Sequence, residues 1–139
     1  MVTIHVDIVS AEREIFSGDA AMVFAPALLG EVGIAPGHTA MLTRMSPGEV
    51  RVQLPGGEEH AFYVSGGMLE VQPKIVTVLS DTAVRAHDLD EAAVLKAKQA
   101  AEDTLKDRSG NLDVTKAQAE LAELAAQLLT IQRLRRRGS

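Results

Sequence analysis

Residues 81–95 read Asp81-Thr82-Ala83-Val84-Arg85-Ala86-His87-Asp88-Leu89-Asp90-Glu91-Ala92-Ala93-Val94-Leu95, and the chain changes character inside this stretch, at about Ala86. All five prolines, all four aromatics and nine of the eleven glycines lie upstream of it. Residues 88–137 are dominated by Ala, Leu, Gln, Lys, Arg, Glu and Asp. Turn-rich alternating sequence followed by an unbroken run of helix formers predicts a β domain over residues 1–86 and a helical element over 87–139. Charge divides at the same place. Residues 1–86 carry five Lys/Arg against ten Asp/Glu, whereas residues 87–139 carry nine of each, with four of those cations in the last seven positions.

A chain of 139 residues suits one ordinary domain, or a small domain with an appendage. Cysteine is absent, so neither a disulfide framework nor a thiolate zinc site is available. The start MVTIHVDIVS alternates instead of showing a basic region and an apolar run, so no signal peptide is expected. No stretch approaches the ~18 apolar residues of a membrane-spanning helix. A net charge of −5 and the scarcity of aromatics argue against nucleic-acid binding.

In residues 3–10, Ile4, Val6 and Ile8 alternate with His5, Asp7 and Val9, the period of a half-buried strand. Similar runs occupy 21–25, 31–35, 40–44, 49–54, 60–65, 68–72, 74–79 and 82–85. Turn signals stand between them: Ser17-Gly18, Leu29-Gly30, Pro36-Gly37, Pro47-Gly48, Pro55-Gly56-Gly57, Gly66-Gly67 and Pro73. The expected fold is therefore an all-β sandwich or flattened barrel of about ten short antiparallel strands in two sheets. Connections this short cannot hold crossover helices, which argues against parallel pairing. Gly33-Ile34-Ala35-Pro36-Gly37-His38 reads as a rigid exposed corner, because Pro fixes one φ and the glycines permit unusual ones.

The second half is expected to form an antiparallel α-helical hairpin. Asp88 and Glu91 fit an N-cap and its capping-box partner. Leu89, Ala93, Ala97 and Ala100 then mark one seam, Ser109-Gly110-Asn111 a stop, and Asp113 a second cap. Val114, Ala117, Leu121, Leu124, Leu128 and Ile131 follow at alternating steps of three and four. A buried methyl contributes only about 0.8 kcal/mol, so an alanine seam holds weakly. Two readings stand: a permanently docked helix pair, or a hairpin within a few kcal/mol of release by a partner. Arg133, Arg135, Arg136 and Arg137 exceed what a helix C-terminus needs and suit bidentate contact with a partner's carboxylates.

No nucleophile elbow, phosphate-cradling loop or metal-ligand spacing appears, and His5, His38, His60 and His87 are scattered. Elimination points to a binding or regulatory component.

The ordered blocks Val6-Asp7-Ile8-Val9-Ser10-Ala11-Glu12, Gly30-Glu31-Val32-Gly33-Ile34-Ala35-Pro36-Gly37-His38, Tyr63-Val64-Ser65-Gly66-Gly67-Met68-Leu69-Glu70-Val71-Gln72-Pro73 and Val76-Thr77-Val78-Leu79-Ser80-Asp81-Thr82-Ala83 together resemble the epsilon subunits of bacterial F-type rotary ATP synthases. The resemblance covers nearly the whole chain and implies a non-catalytic central-stalk subunit of a proton-translocating complex. Its implied partners are the gamma subunit and the ring of c subunits, with Glu31, Pro36, Gly37 and His38 facing the ring. It further implies a hairpin that can extend into the catalytic hexamer and inhibit ATP hydrolysis, Arg133, Arg135, Arg136 and Arg137 then meeting the alpha and beta subunits. The implied location is peripheral, on the cytoplasmic side of the bacterial inner (plasma) membrane and attached only through the complex. Some family members bind ATP through an aliphatic–Asp–x–x–Arg–Ala motif. Leu89 and Asp90 match its first two positions, but Ala93 replaces the Arg and Val94 the Ala. Without that guanidinium the chief phosphate donor is gone, so no cofactor is expected.

Overall fold

The computed structural model describes residues 2–107 and 114–138, with the side chains of 104–107, 114, 115, 117, 137 and 138 outside the description. Ten strands come first: β1 (Ile4–Ser10), β2 (Glu14–Ala20), β3 (Met22–Ala27), β4 (Gly30–Ile34), β5 (Met41–Met45), β6 (Gly48–Gln53), β7 (Glu59–Val64), β8 (Gly67–Val71), β9 (Ile75–Ser80) and β10 (Ala83–Arg85). A 3₁₀ turn at Ala86–Asp88 leads into α1 (Glu91–Asp107) and α2 (Val114–Gly138). The hydrogen-bonded order is β10-β7-β6-β3-β5-β8-β9-β1-β2, with β4 paired to β3. The ribbon folds over where β3 meets β5 through the single pair Ala27↔Met45, and β10 then comes up against β1 and β2. What results is the sandwich read from the alternation.

Ile4, Val6 and Ile8 are fully buried, and they join Val23, Val50, Phe62, Leu69 and Val78 in one core. The Pro55-Gly56-Gly57 hairpin forms as expected: Leu54 N–H donates to Glu58 C=O at 2.8 Å, Gly57 N–H donates back to Leu54, and Gly57 takes φ +93°.

Two sequence expectations fail in the sheet. Ser17-Gly18 is not a turn but the middle of β2, where Gly18 lies opposite Val6. A Cβ on Gly18 would stand 3.2 Å from the Phe16 ring, which folds over the space the glycine leaves. Pairing is also not wholly antiparallel. β1 runs parallel to β9, from His5↔Ile75 to Ser10↔Ser80. No crossover helix is needed, because the seven strands between them make the connection.

The helical half also shifts in detail. Asp88 belongs to the 3₁₀ turn, and Asp90 caps α1 instead: its Oδ1 accepts from the N–H groups of Ala92 (3.1 Å) and Ala93 (3.3 Å). The extra turn moves the helix start by two residues, which rotates the seam. Ala93 and Ala100 are exposed, while Val94 and Ala101 are buried and Ala97 and Leu89 pack against them. On α2, Leu124, Leu128 and Ile131 are buried and Leu121 packs beside them, as the three–four spacing predicts. The Ser109-Gly110-Asn111 stop, the Asp113 cap and the side chains of Val114, Ala117 and Arg137 lie outside the described residues. The sandwich core and the helical cluster have no member in common.

Candidate functional site

In β7 Phe62 and Val64 point into the sandwich core, so strand alternation sends Tyr63 to the outer face. It is nevertheless fully buried, because α2 lies across β6 and β7. Burial pushes the Tyr63 phenol up to about 12, with the Gln127 side chain beside it acting in the opposite direction. No hydrogen bond of normal geometry closes on the Tyr63 hydroxyl.

α2 is chemically two-faced. Leu121, Leu124, Leu128 and Ile131 serve the helix pair. Ala126, Thr130 and Arg133 line a groove of about 230 Å³ against Pro26, Gly48 and Glu49. Thr130 is almost wholly buried, its hydroxyl donating to the Ala126 carbonyl at 2.9 Å. The stripe that meets the sandwich is therefore mostly small or polar, with the half-exposed Leu129 its apolar member in the groove.

Further along, a second groove of about 390 Å³ is lined by Glu31, Glu49, Arg51, Arg133 and Arg136. Arg51 organises it. Its guanidinium donates to Glu31 at 2.9 Å, lies 3.8 Å from both Glu49 and Glu59, and sits 4.3 Å above the Phe24 ring. Planar stacking with several carboxylate contacts is work suited to Arg rather than Lys.

Glu31 is thus brought together with Arg133 and Arg136, and not with the corner that follows β4. That corner is tied elsewhere: Gly37, at φ +85°, donates its N–H to Pro73 C=O at 2.8 Å. His38 N–H closes a turn onto Ala35 C=O, and its Nδ1 lies 2.7 Å from Thr39 C=O. Pro36 is half-buried beside it. Arg135 faces the hairpin itself and pairs with Glu91. Leu89 packs on the helical cluster, and Asp90 is occupied as the α1 cap.

Sequence reasoning missed Tyr63, Glu49 and Arg51. A signal existed for the first, since Phe62-Tyr63-Val64 is apolar in both phases and so implies cover on both faces. It also missed a surface cluster on the edge pair, where His5 lies 3.1 Å from Asp19 and 3.0 Å from Asp7, and Ser17 donates to Asp7 at 2.7 Å. Ser17 Oγ also lies 3.2 Å from His5 Nε2, and its shorter hydrogen bond is the one to Asp7. Among the described residues no group of side chains could hold a metal ion, and no helix is long and apolar enough to cross a membrane.

Residues 3–86 match the family model of the ATP synthase delta/epsilon chain β-sandwich domain, and residues 87–132 match its long α-helix domain. An ATP synthase epsilon chain from Nitrosococcus oceani is 67% identical over 135 residues, covering 97% of this chain and 96% of the relative. One from Nitrosospira multiformis is 60% identical, covering 96% of each. In fold, the chain resembles a chain of the Euglena gracilis mitochondrial ATP synthase OSCP/F1/c-ring structure at a TM-score of 0.79, with 21% identity and coverage of 96% of this chain and 82% of that one. Both halves, at this level of identity, place the chain in the ATP synthase delta/epsilon chain family, as an epsilon-type subunit that is not itself a catalyst.

Proposed function

We propose that the chain is a rotor subunit of the central stalk: its sandwich joins the gamma subunit to the c ring, and its hairpin restrains ATP hydrolysis. The observation that carries the second half is the two-faced α2. Buried leucines and an isoleucine hold it to α1, whereas Ala126, Gln127, Thr130, Arg133 and a half-exposed Leu129 face the sandwich. Burying small and polar groups yields little free energy, so the hairpin can leave as a unit with its own core intact. In this reading the chain works among gamma, the c ring and the catalytic hexamer, at the cytoplasmic face of the plasma membrane; its likeness to ATP synthase epsilon chains supports the reading. Glu31 and the Pro36-Gly37-His38 corner are then the surfaces offered to the ring. Arg133, Arg135, Arg136 and Arg137 meet acidic segments of alpha or beta once α2 is released. ATP binding is weak or absent, because Ala93 offers no guanidinium and Asp90 already serves two backbone N–H groups.

Truncation after Asp88 tests this. It should leave assembly with gamma and the c ring intact and raise ATP hydrolysis by the assembled complex. Unchanged hydrolysis removes the inhibitory role, and lost assembly removes the assignment of stalk contacts to the sandwich alone.

A further inference from the structure

The stripe of α2 that faces the sandwich ends in charge. Ala126, Thr130, Arg133 and Arg136 recur at steps of four, three and three, which places them on one helix face. Ala126, Thr130 and Arg133 line the smaller groove, and Arg133 and Arg136 line the larger. Arg135, between the two, pairs with Glu91 of α1 instead. The arginines that close the chain are thus sorted by face, two toward the sandwich and one toward α1, with the side chain of Arg137 outside the described residues.

What Arg133 and Arg136 meet is acidic. Glu49 of β6 lines both grooves with only 1% of its side chain exposed, and Glu31 of β4 lines both with it. Arg51 draws Glu31, Glu49 and Glu59 around one guanidinium. Three carboxylates against one guanidinium leave this part of the sandwich two negative charges in excess, and Arg133 and Arg136 bring two positive ones. Among the described residues no other cation lines either groove. Neighbouring cations are engaged or distant. Arg85 lies over the Phe62 ring with its guanidinium 3.4 Å from His60, His60 lies 3.4 Å from Glu58, and Lys116 is about 25 Å along the helix from Arg133. A carboxylate covered as deeply as Glu49 is tolerated only in the company of opposite charge.

We propose that Glu31 and Glu49, held in place by Arg51, form an acidic socket for Arg133 and Arg136, and that this ionic latch keeps the end of α2 on the sandwich. Small and polar side chains fill most of the stripe, so charge is what selects this position for the helix end. Guanidiniums seated in the socket are withheld from the carboxylates of any other protein, and the socket therefore competes with a partner for the same two arginines. The latch stands on the docked geometry; its consequence for hydrolysis rests on the inhibitory reading of the hairpin.

Amide exchange of α2 in the isolated full chain tests it. Arg133 is exposed, so Arg133→Gln spares the sandwich core, and it should quicken α2 exchange at neutral pH and low salt by about threefold while sandwich amides keep their rates. Glu49→Gln should do the same. The double variant should exchange little faster than either single one, because each removes the same contact. Raising sodium chloride from about 0.05 to about 0.5 M should quicken wild-type exchange toward that of the variants. Exchange in Arg133→Gln as slow as in the wild type overturns the latch, and so do fully additive effects of the two substitutions. In the assembled complex, Glu49→Gln keeps every terminal arginine and should lower ATP hydrolysis, since a weaker latch releases more helix. If α2 exchange quickens while hydrolysis is unchanged, the latch stands and the inhibitory reading falls.

Discussion

Arg135, near the end of α2, reaches back to the carboxylate of Glu91, the first residue of α1. The contact ties the two ends of the hairpin together, so this arginine is a clasp within the helix pair. The guanidinium is two-thirds exposed, which limits the pair to roughly 0.2–1 kcal/mol. Arg135→Ala should therefore leave the melting temperature of the chain within about 4 °C. It should quicken amide exchange over the first turn of α1 by a few-fold, an effect that fades above ~0.5 M salt. A large loss of global stability would show that the clasp holds more than the helix ends.

Gly67 separates strain from mere turn preference. It adopts φ +116°, and a Cβ there would lie 2.0 Å from the Leu79 carbonyl oxygen and 2.9 Å from the Ser80 Cα. That β9 backbone cannot yield without breaking the β8–β9 ladder. Gly67→Ala should cost more than about 3 kcal/mol. Gly37, at φ +85° with nothing near its missing Cβ, should cost only about 1 kcal/mol as Ala. Paired thermal or urea melts measure the contrast.

The pH dependence of the edge pair follows from His5. Its hydrogen bond to Asp19 raises its pKa above the ordinary 6.5; burial, the next effect in size, opposes this, and the bond to Asp7 adds to the rise. Protonated His5 thus favours the folded edge. That contribution is complete below about pH 6.5 and is lost as pH rises through the folded value. Asp19→Asn should bring the His5 value down in a proton NMR titration and flatten the melting temperature between pH 6 and 8. If His5 titrates unchanged in Asp19→Asn, the bridge does not set it.

How far these features could be read in advance depended on whether they arise locally. Strands such as Ile4–Ser10 and the Leu121–Ile131 seam repeat with the period of their own element, so one face against one core is enough to mark them. β2 escaped because its strand is an edge with Ser17 and Gly18 in its middle and its best-buried residue at its end. Its pairing is dictated by β1, not by its own pattern. The α1 seam was offset because the choice between Asp88 and Asp90 as cap is made by the 3₁₀ turn packing under α2. The Arg51 groove draws Glu31, Glu49 and Arg133 from β4, β6 and α2, and no spacing in the sequence links them.

Asp90 gives a direct test of whether the remnant motif at the hairpin's base is structural. As an N-cap it accepts from two of the four backbone N–H groups that open α1. Asp90→Ala should destabilise the hairpin by about 1 kcal/mol, while Asp90→Ser should restore most of that, because a hydroxyl also caps. Helical dichroism during thermal unfolding reads both. A nucleotide ligand would demand the opposite order of evidence: ATP raising the melting temperature of the wild type and failing to do so in Asp90→Ser. With Ala93 where a guanidinium would stand, no ATP-dependent shift is expected in either, and a shift in the wild type alone would return Asp90 to a ligand role.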